Sequence, residues 1–108
     1  AHFSIGSGTR LAIEDAIALA RAIRAHPRDV KAALSTYEAQ RKPILEKLVT
    51  AANASAAWYE NFGTHMALAP YDLAMSYLSR TGRMDIERIR KISPNFAAEW
   101  ERRAKGAA

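Results

Sequence analysis

The sequence predicts an all-α chain of about five helices, one of them long and kinked near Pro43, and three observations predict it. Apolar residues recur at three- and four-residue intervals over long stretches. No run alternates apolar and polar residues between turns, as a half-buried strand would. Ala, a strong helix former that buries little surface, supplies much of the 49% hydrophobic content. In 108 residues this favours helices over a thick core, so support from a partner or a further domain is expected.

The first eight residues read as a loop closing on Gly6-Ser7-Gly8, and a helix follows from Thr9 to about Ala25. Ala12, Ala16, Leu19 and Ile23 share one face, with Ile13, Ile17 and Ala20 beside it, so the apolar stripe is wide. Arg10, Glu14, Arg21 and Arg24 occupy the outer face. Pro27 stops the helix, with Arg24 and His26 where its dipole favours cations. Asp29 can cap a second helix running towards Phe62. Its spacing series is Val30, Leu34, Tyr37, Arg41, Ile44, Leu48, Ala51, Ser55, Trp58 and Phe62. Pro43 removes a backbone donor and crowds the preceding turn, which predicts a kink or a break, and Gly63 is expected to end the segment.

Pro70 opens a third helix carrying Leu73, Ala74, Tyr77 and Leu78 and closing near Thr81-Gly82. Asp85 caps a fourth, with Ile86, Ile89 and Ile92 facing inward. Ser93-Pro94 starts a fifth, anchored by Phe96 and Trp100, and the tail from Lys105 is expected to fray. There is no internal repeat and no flexible interdomain linker.

Without cysteine, disulfides, thiolate chemistry and Cys-based zinc sites are excluded, and no His/Asp/Glu spacing suggests another metal site. No segment resembles a signal peptide or a membrane span; the uncharged run Leu48 to Tyr59 is interrupted by Thr50, Asn53 and Ser55. A cytoplasmic protein that binds no membrane is expected. The net charge of +5 is a mild bias towards anionic ligands. Acidic residues are interspersed throughout and no recognition helix stands out, so no nucleic-acid partner is expected. The opening Ala-His-Phe, without Met, suggests a processed or truncated product.

The chemistry lies in His2-Phe-Ser-Ile-Gly-Ser-Gly-Thr-Arg-Leu-Ala-Ile-Glu-Asp-Ala-Ile-Ala-Leu-Ala20. Two glycines one residue apart, directly before a helix, let backbone approach a ligand closely, and the first-turn amides and dipole favour negative charge. The same pattern also serves as a plain tight turn. It is not a P-loop, because no Gly-Lys-Ser/Thr follows, and not a dinucleotide fingerprint, because no strand precedes it and the third glycine is missing.

The whole string resembles the third flavin motif of the single-component, FAD-dependent aromatic hydroxylases. There a Gly-Asp pair and a His precede a Pro-x-x-Gly-x-Gly loop and a helix with Glu-Asp-Ala and Leu-Ala. Gly6 and Gly8 match the loop, and Glu14-Asp15-Ala16 with Leu19-Ala20 match the helix. Phe3 stands where most members have Pro, and Arg10 where many have Asn. The string from His2 to Thr9 is similar to the branch acting on salicylyl-CoA, 2-aminobenzoyl-CoA and, in violacein-type pathways, tryptophan derivatives. The stretch from Tyr71 to Arg83 and Ser93-Pro94-Asn95-Phe96 also resemble that branch, and Tyr37-Glu38-Ala39-Gln40-Arg41 with Pro43 resembles the wider family.

The resemblance implies a C-terminal helical part of a larger α/β flavoprotein. Residues 1–26 would be the flavin loop and following helix at the end of the FAD-binding domain, and 27–108 a C-terminal helical region. It implies that the backbone of Ile5, Gly6, Ser7, Gly8 and Thr9 lies against the pyrimidine edge of FAD. NAD(P)H would be the reductant and a small aromatic compound the substrate. The family's N-terminal Gly-x-Gly-x-x-Gly and its Gly-Asp pair are not in this sequence. The missing N-terminal FAD-binding domain is therefore an expected partner, and the chain alone is expected to be inactive and to hold FAD weakly.

Arg10 is a candidate contact to flavin or a substrate anion, or an exposed first-turn cation. Within the basic cluster Arg80, Arg83, Arg88, Arg90 and Lys91, Arg83 and Arg90 are candidates for the phosphates of a CoA thioester; a solvated helix face is the plainer reading. Glu14 and Asp15 suit the helix dipole and point in different directions, so they do not read as a catalytic pair. His2 and His65 are acid–base groups in principle, with a packing role favoured for His65. Trp58, Tyr59, Phe62, Tyr71 and Tyr77 read as core or interface aromatics. No catalytic residue is assigned. The competing reading is a stand-alone helical interaction or oligomerisation module without activity. A fragment exposing helix faces that packed on a lost domain is expected to self-associate, which distinguishes it from that module.

Overall fold

A computed structural model describes residues 5–106. The elements are α1 (Gly8–Ala25), α2 (Val30–Glu60), α3 (Phe62–Met66), α4 (Pro70–Ser79), α5 (Ile86–Ile92) and α6 (Pro94–Gly106). There is no strand among the described residues, so the all-α expectation holds. The chain divides into two compact units, residues 1–53 and 54–108, with the boundary inside α2.

The helix ends follow local chemistry. Asp29 accepts from the Ala32 amide at 3.0 Å and opens α2, and Asp85 accepts from the Arg88 amide at 2.8 Å and opens α5. Each meets one of the first-turn donors that a helix cannot satisfy itself. Pro70 stands at the start of α4, where its missing amide costs nothing. After α4, Gly82 takes φ +70°, a left-handed value that a β-carbon would resist, and its amide donates to the Ser79 carbonyl at 2.9 Å.

The long helix carries Pro43 in its interior and is not broken there. Four expectations are corrected. The long helix stops at Glu60. Gly63 does not end it: Gly63 lies inside the additional helix α3 and has no left-handed φ. The junction is Asn61. Its amide is shared between the Ala57 and Trp58 carbonyls, its side chain donates to Ala57 at 2.9 Å, and its own carbonyl accepts from Thr64 and His65. Gly8 belongs to α1 rather than to the loop, and Lys105 and Gly106 continue α6 rather than fraying. Ile92 is 65% exposed instead of facing inward; only Ile89, a turn earlier, is fully buried in α5.

In the first unit the buried positions are Leu11, Ala22, Ala33, Leu48, Ala51 and Ala52. The isoleucine stripe of α1 stays open, with Ile13, Ile17 and Ile23 about half exposed, and Val30 and Leu34 of α2 are exposed too. Most of these buried side chains are alanines, so burial alone contributes little stabilisation here. In the second unit the buried set is Ser55, Trp58, Ile89 and Ala97. Tyr71 stacks on Phe96 at 5.5 Å, with the Arg103 guanidinium 4.3 Å from the Tyr71 ring. The Trp100 indole donates to Asp72 at 3.1 Å. No buried side-chain polar atom among the described residues lacks a hydrogen-bond partner.

On α6, Glu99 accepts from Arg102 at 2.6 and 2.8 Å and from Arg103 at 2.6 Å. These bonds hold its carboxyl down to about 2 from an ordinary value of 4.5. A depressed carboxylate favours the folded helix above its unfolded value and loses that contribution as pH falls through the folded one. Helicity should therefore decline between about pH 4.5 and pH 2. Glu99→Gln should remove that part of the decline in a circular-dichroism titration, and an unchanged acid limb would contradict the assignment.

Candidate functional site

The glycine loop and the start of α1 form the first candidate site. Gly6 has φ +62°, and among the described residues nothing lies within 4 Å of where a β-carbon would stand on either Gly6 or Gly8. Gly6 is thus needed for the turn, while the space around both glycines is open to a ligand. Ser7 stands at the N-cap of α1, but its hydroxyl donates back to the Ile5 carbonyl at 3.2 Å and makes no capping bond. The first regular helix bond is from the Leu11 amide to the Ser7 carbonyl, at 3.0 Å. Among the described residues no side chain caps the first turn, and Gly8, Thr9 and Arg10 are exposed. An open cradle ending in uncapped amides suits the flat, hydrogen-bonding edge of a planar ligand, with a preference for negative charge.

Behind the loop stands an ion-pair cluster within the first unit. Arg41 Nε donates to Asp15 Oδ1 at 2.6 Å, and its Nη2 reaches Glu14 Oε2 at 3.3 Å. Glu14 also pairs with Arg10 at 3.4 Å. The Arg41 side chain is only 12% exposed, against 68% for Arg10. The Asp15 hydrogen bond, opposed by desolvation and helped by both carboxylates' charge, holds Arg41 above its ordinary range. Further along, Thr36 Oγ1 and His26 Nε2 are 3.1 Å apart, a second polar link of α1's end to α2.

The second unit gathers the aromatic residues. Trp58 meets Tyr59, Phe62 and Tyr77 edge-on at 5.2, 5.8 and 5.6 Å. His65 stacks flat on its indole at 4.5 Å with rings 4° from parallel. The indole N–H donates to Ser76 at 2.9 Å. Arg80 lies 4.0 Å from the Tyr77 ring centre, and its Nε donates to the buried Ser55 hydroxyl at 3.1 Å. A hydrogen bond with Tyr77, with burial adding and the Arg80 cation opposing, holds the Tyr59 phenol above its ordinary value. Trp58, Phe62, Met66, Pro70, Leu73, Ala74 and Tyr77 line an open recess of about 310 Å³.

The basic residues after α4 do not act as one group. Arg80 is engaged by Tyr77 and Ser55, and Arg90 is ion-paired with Glu87 and with Glu101. Arg83 is exposed after the Gly82 turn. His65 is a packing residue on Trp58, while His2 lies outside the described residues. No group of three or more potential metal ligands occurs among the described residues, and no described helix is long and apolar enough to cross a membrane. The Arg41 cluster was not anticipated. Its signal was a cation occupying a seam position in the series Leu34, Tyr37, Arg41, Ile44.

Two sequence relatives give this geometry its context. The chain is 42% identical over 83 residues, 75% of its length, to salicyloyl-CoA 5-hydroxylase of Streptomyces sp. It is 52% identical over 59 residues, 55% of its length, to 3-hydroxy-4-methyl-anthranilyl-(aryl-carrier protein) 5-monooxygenase of Streptosporangium sibiricum. The chain is homologous to part of both enzymes. It spans 16% of the length of each. The resemblance read from the glycine loop and the helices after it is thus borne out by two hydroxylating enzymes, one of them from the salicylyl-CoA branch. No family model matches the chain, and no solved structure does.

The His65 stack makes a spectroscopic prediction. In a Trp100→Phe background, His65→Gln should change the emission of Trp58, because the ring that lies flat on its indole at 4.5 Å is removed. Identical emission spectra for the two proteins would contradict the stack.

Proposed function

We propose that this chain is the flavin-facing loop and C-terminal helical part of an FAD-dependent monooxygenase that hydroxylates an aromatic ring. NAD(P)H would supply the electrons and O2 the oxygen atom. The observation carrying this reading is the open, uncapped Gly6-Ser7-Gly8 turn at the start of α1, in a chain homologous to two ring hydroxylases. FAD, when bound, supplies the redox chemistry and the activation of O2.

The protein's share is position and electrostatics. The Ile5 to Thr9 backbone would meet the pyrimidine edge of the flavin, the edge that gains negative charge on reduction. Amides fixed at a helix N-terminus stabilise such charge without reorganising. Gly6 supplies the left-handed turn that aims them, and Gly8 leaves room for close approach. Arg10, exposed in the first turn, is the nearest cation in sequence for a flavin or substrate anion.

One relative is named for a CoA-linked substrate and the other for one held on an aryl-carrier protein. A carrier-linked aryl group is accordingly the substrate class proposed here. Of the two arginines considered for carrier phosphates, Arg83 is the better placed, because Arg90 is already paired with two carboxylates.

The test is purification of the full gene product containing these residues. It should show flavin absorption and consume NAD(P)H in the presence of an aryl-CoA. Labelled oxygen from O2 should appear in the ring. Gly8→Glu should lose the flavin, and a gene product without flavin binding or ring hydroxylation would overturn the proposal.

The half-exposed isoleucines of α1, with Val30 and Leu34, support a partner for that surface, which we take to be the rest of the flavin-binding domain. The 108-residue chain produced alone should therefore self-associate. Light scattering should report a dimer or larger species, and a monomer at high concentration would argue against an uncovered domain face.

A further inference from the structure

Reading the loop as a flavin site leaves an electrostatic difficulty. Glu14 and Asp15 stand about 9 to 11 Å along α1 from Gly8. Two carboxylates so close behind the first turn oppose the positive end of the helix dipole, the feature expected to favour an electron-rich flavin edge. Arg41 meets both of them, and Arg10 meets Glu14, so two cations and two carboxylates form a neutral quartet. The contributions are unequal. Arg10 is largely in water, where its effect is screened, whereas Arg41 is nearly enclosed and bonds Asp15 at 2.6 Å.

The surroundings of the pair also matter. An open cleft of about 380 Å³ lies beside it, bounded by Ile17, Ala18 and Arg21 of α1 and by Gln40 and Ile44 of α2. At this level the two helices are bridged by the Arg41 bonds rather than filled in by interlocking side chains. A single guanidinium binding two adjacent carboxylates fixes direction as well as distance, because its donors are held in a plane.

We propose that Arg41 is a positioning residue for the glycine loop: it cancels the two carboxylates behind the first turn of α1 and sets the direction in which that turn presents its amides. It does not touch the ligand. The proposal rests on the flavin reading above and assigns Arg41 a task beyond holding two helices together.

The experiment compares variants of the full gene product by FAD titration, with FAD itself as the probe. Arg41→Gln should weaken FAD binding about tenfold, equivalent to about 1.4 kcal/mol, and should lower the flavin reduction potential by leaving Asp15 unopposed and Glu14 with only the solvated Arg10. The triple variant Glu14→Gln, Asp15→Asn, Arg41→Gln removes the charges as well as their partner and should recover most of both losses. A purely structural role predicts no recovery. The triple variant also keeps the test decisive should the single variant fold poorly, since the one charge it leaves without its carboxylate is Arg10, which stands largely in water. Gly8→Glu, which reports on the flavin reading alone, should abolish binding.

Full affinity in Arg41→Gln, with binding lost in Gly8→Glu, would overturn this inference and leave the flavin reading standing. A triple variant as weak as the single would overturn the electrostatic role. Binding unaffected by Gly8→Glu, or no binding by the unaltered gene product, would overturn both.

Discussion

The first unit depends on one ion pair. Arg41 occupies a position of α2 where helical spacing calls for an apolar residue, and it faces Asp15 and Glu14 of α1 rather than solvent. Around it the unit has few large side chains to bury; four of its six buried residues are alanines. With so little apolar area available, polar links carry an unusual share of the task of fixing α1, namely Arg41 to Asp15 and Thr36 to His26. The pose of α1 in turn decides where the Gly6-Ser7-Gly8 turn and the uncapped first-turn amides point. A loop proposed to meet a planar cofactor within about half an ångström needs such support.

The second unit is organised differently, around the Trp58 ring. Tyr59, Phe62 and Tyr77 meet it edge-on and His65 lies flat against it, while Ser76 satisfies its N–H. Edge-to-face contacts and a satisfied indole stabilise a buried aromatic cluster beyond its area alone. Ser55, wholly enclosed, receives the Arg80 guanidinium and so ties α2 to the end of α4 inside this unit.

What the sequence revealed follows from how local each cause is. Asp29, Pro70, Gly82 and Asp85 act within three or four residues, and each helix boundary they predict is present. The glycine loop was legible because a long string of specific residues carries it. The end of α2 was misread because Gly63 looked like a stop, whereas the turn is made by Asn61 using both its backbone and its side chain. Spacing marked the buried Leu48, Ala51, Ser55 and Trp58 of α2 and Ile89 of α5, but the stripe read on α1 leaves out Leu11 and Ala22, the residues that helix buries. Ile13, Val30 and Ile92 have the right period and remain exposed. Arg41 escaped notice because its partners lie 26 and 27 residues earlier, a separation that no local pattern encodes.

The homology to two hydroxylases and the open turn at α1 support the flavin site proposed above, and the further proposal has Arg41 set its geometry from behind. The most direct measurement is a double-mutant cycle on the 108-residue chain, pairing Arg41→Gln with Asp15→Asn and reading the protection of α1 amides by hydrogen exchange. Because Arg41 is only 12% exposed and bonds Asp15 at 2.6 Å, although Asp15 is 36% exposed, the two substitutions should be non-additive, and part of the coupling should persist at high salt. Additive effects, or a coupling that vanishes with salt, would contradict the central role given to this ion pair.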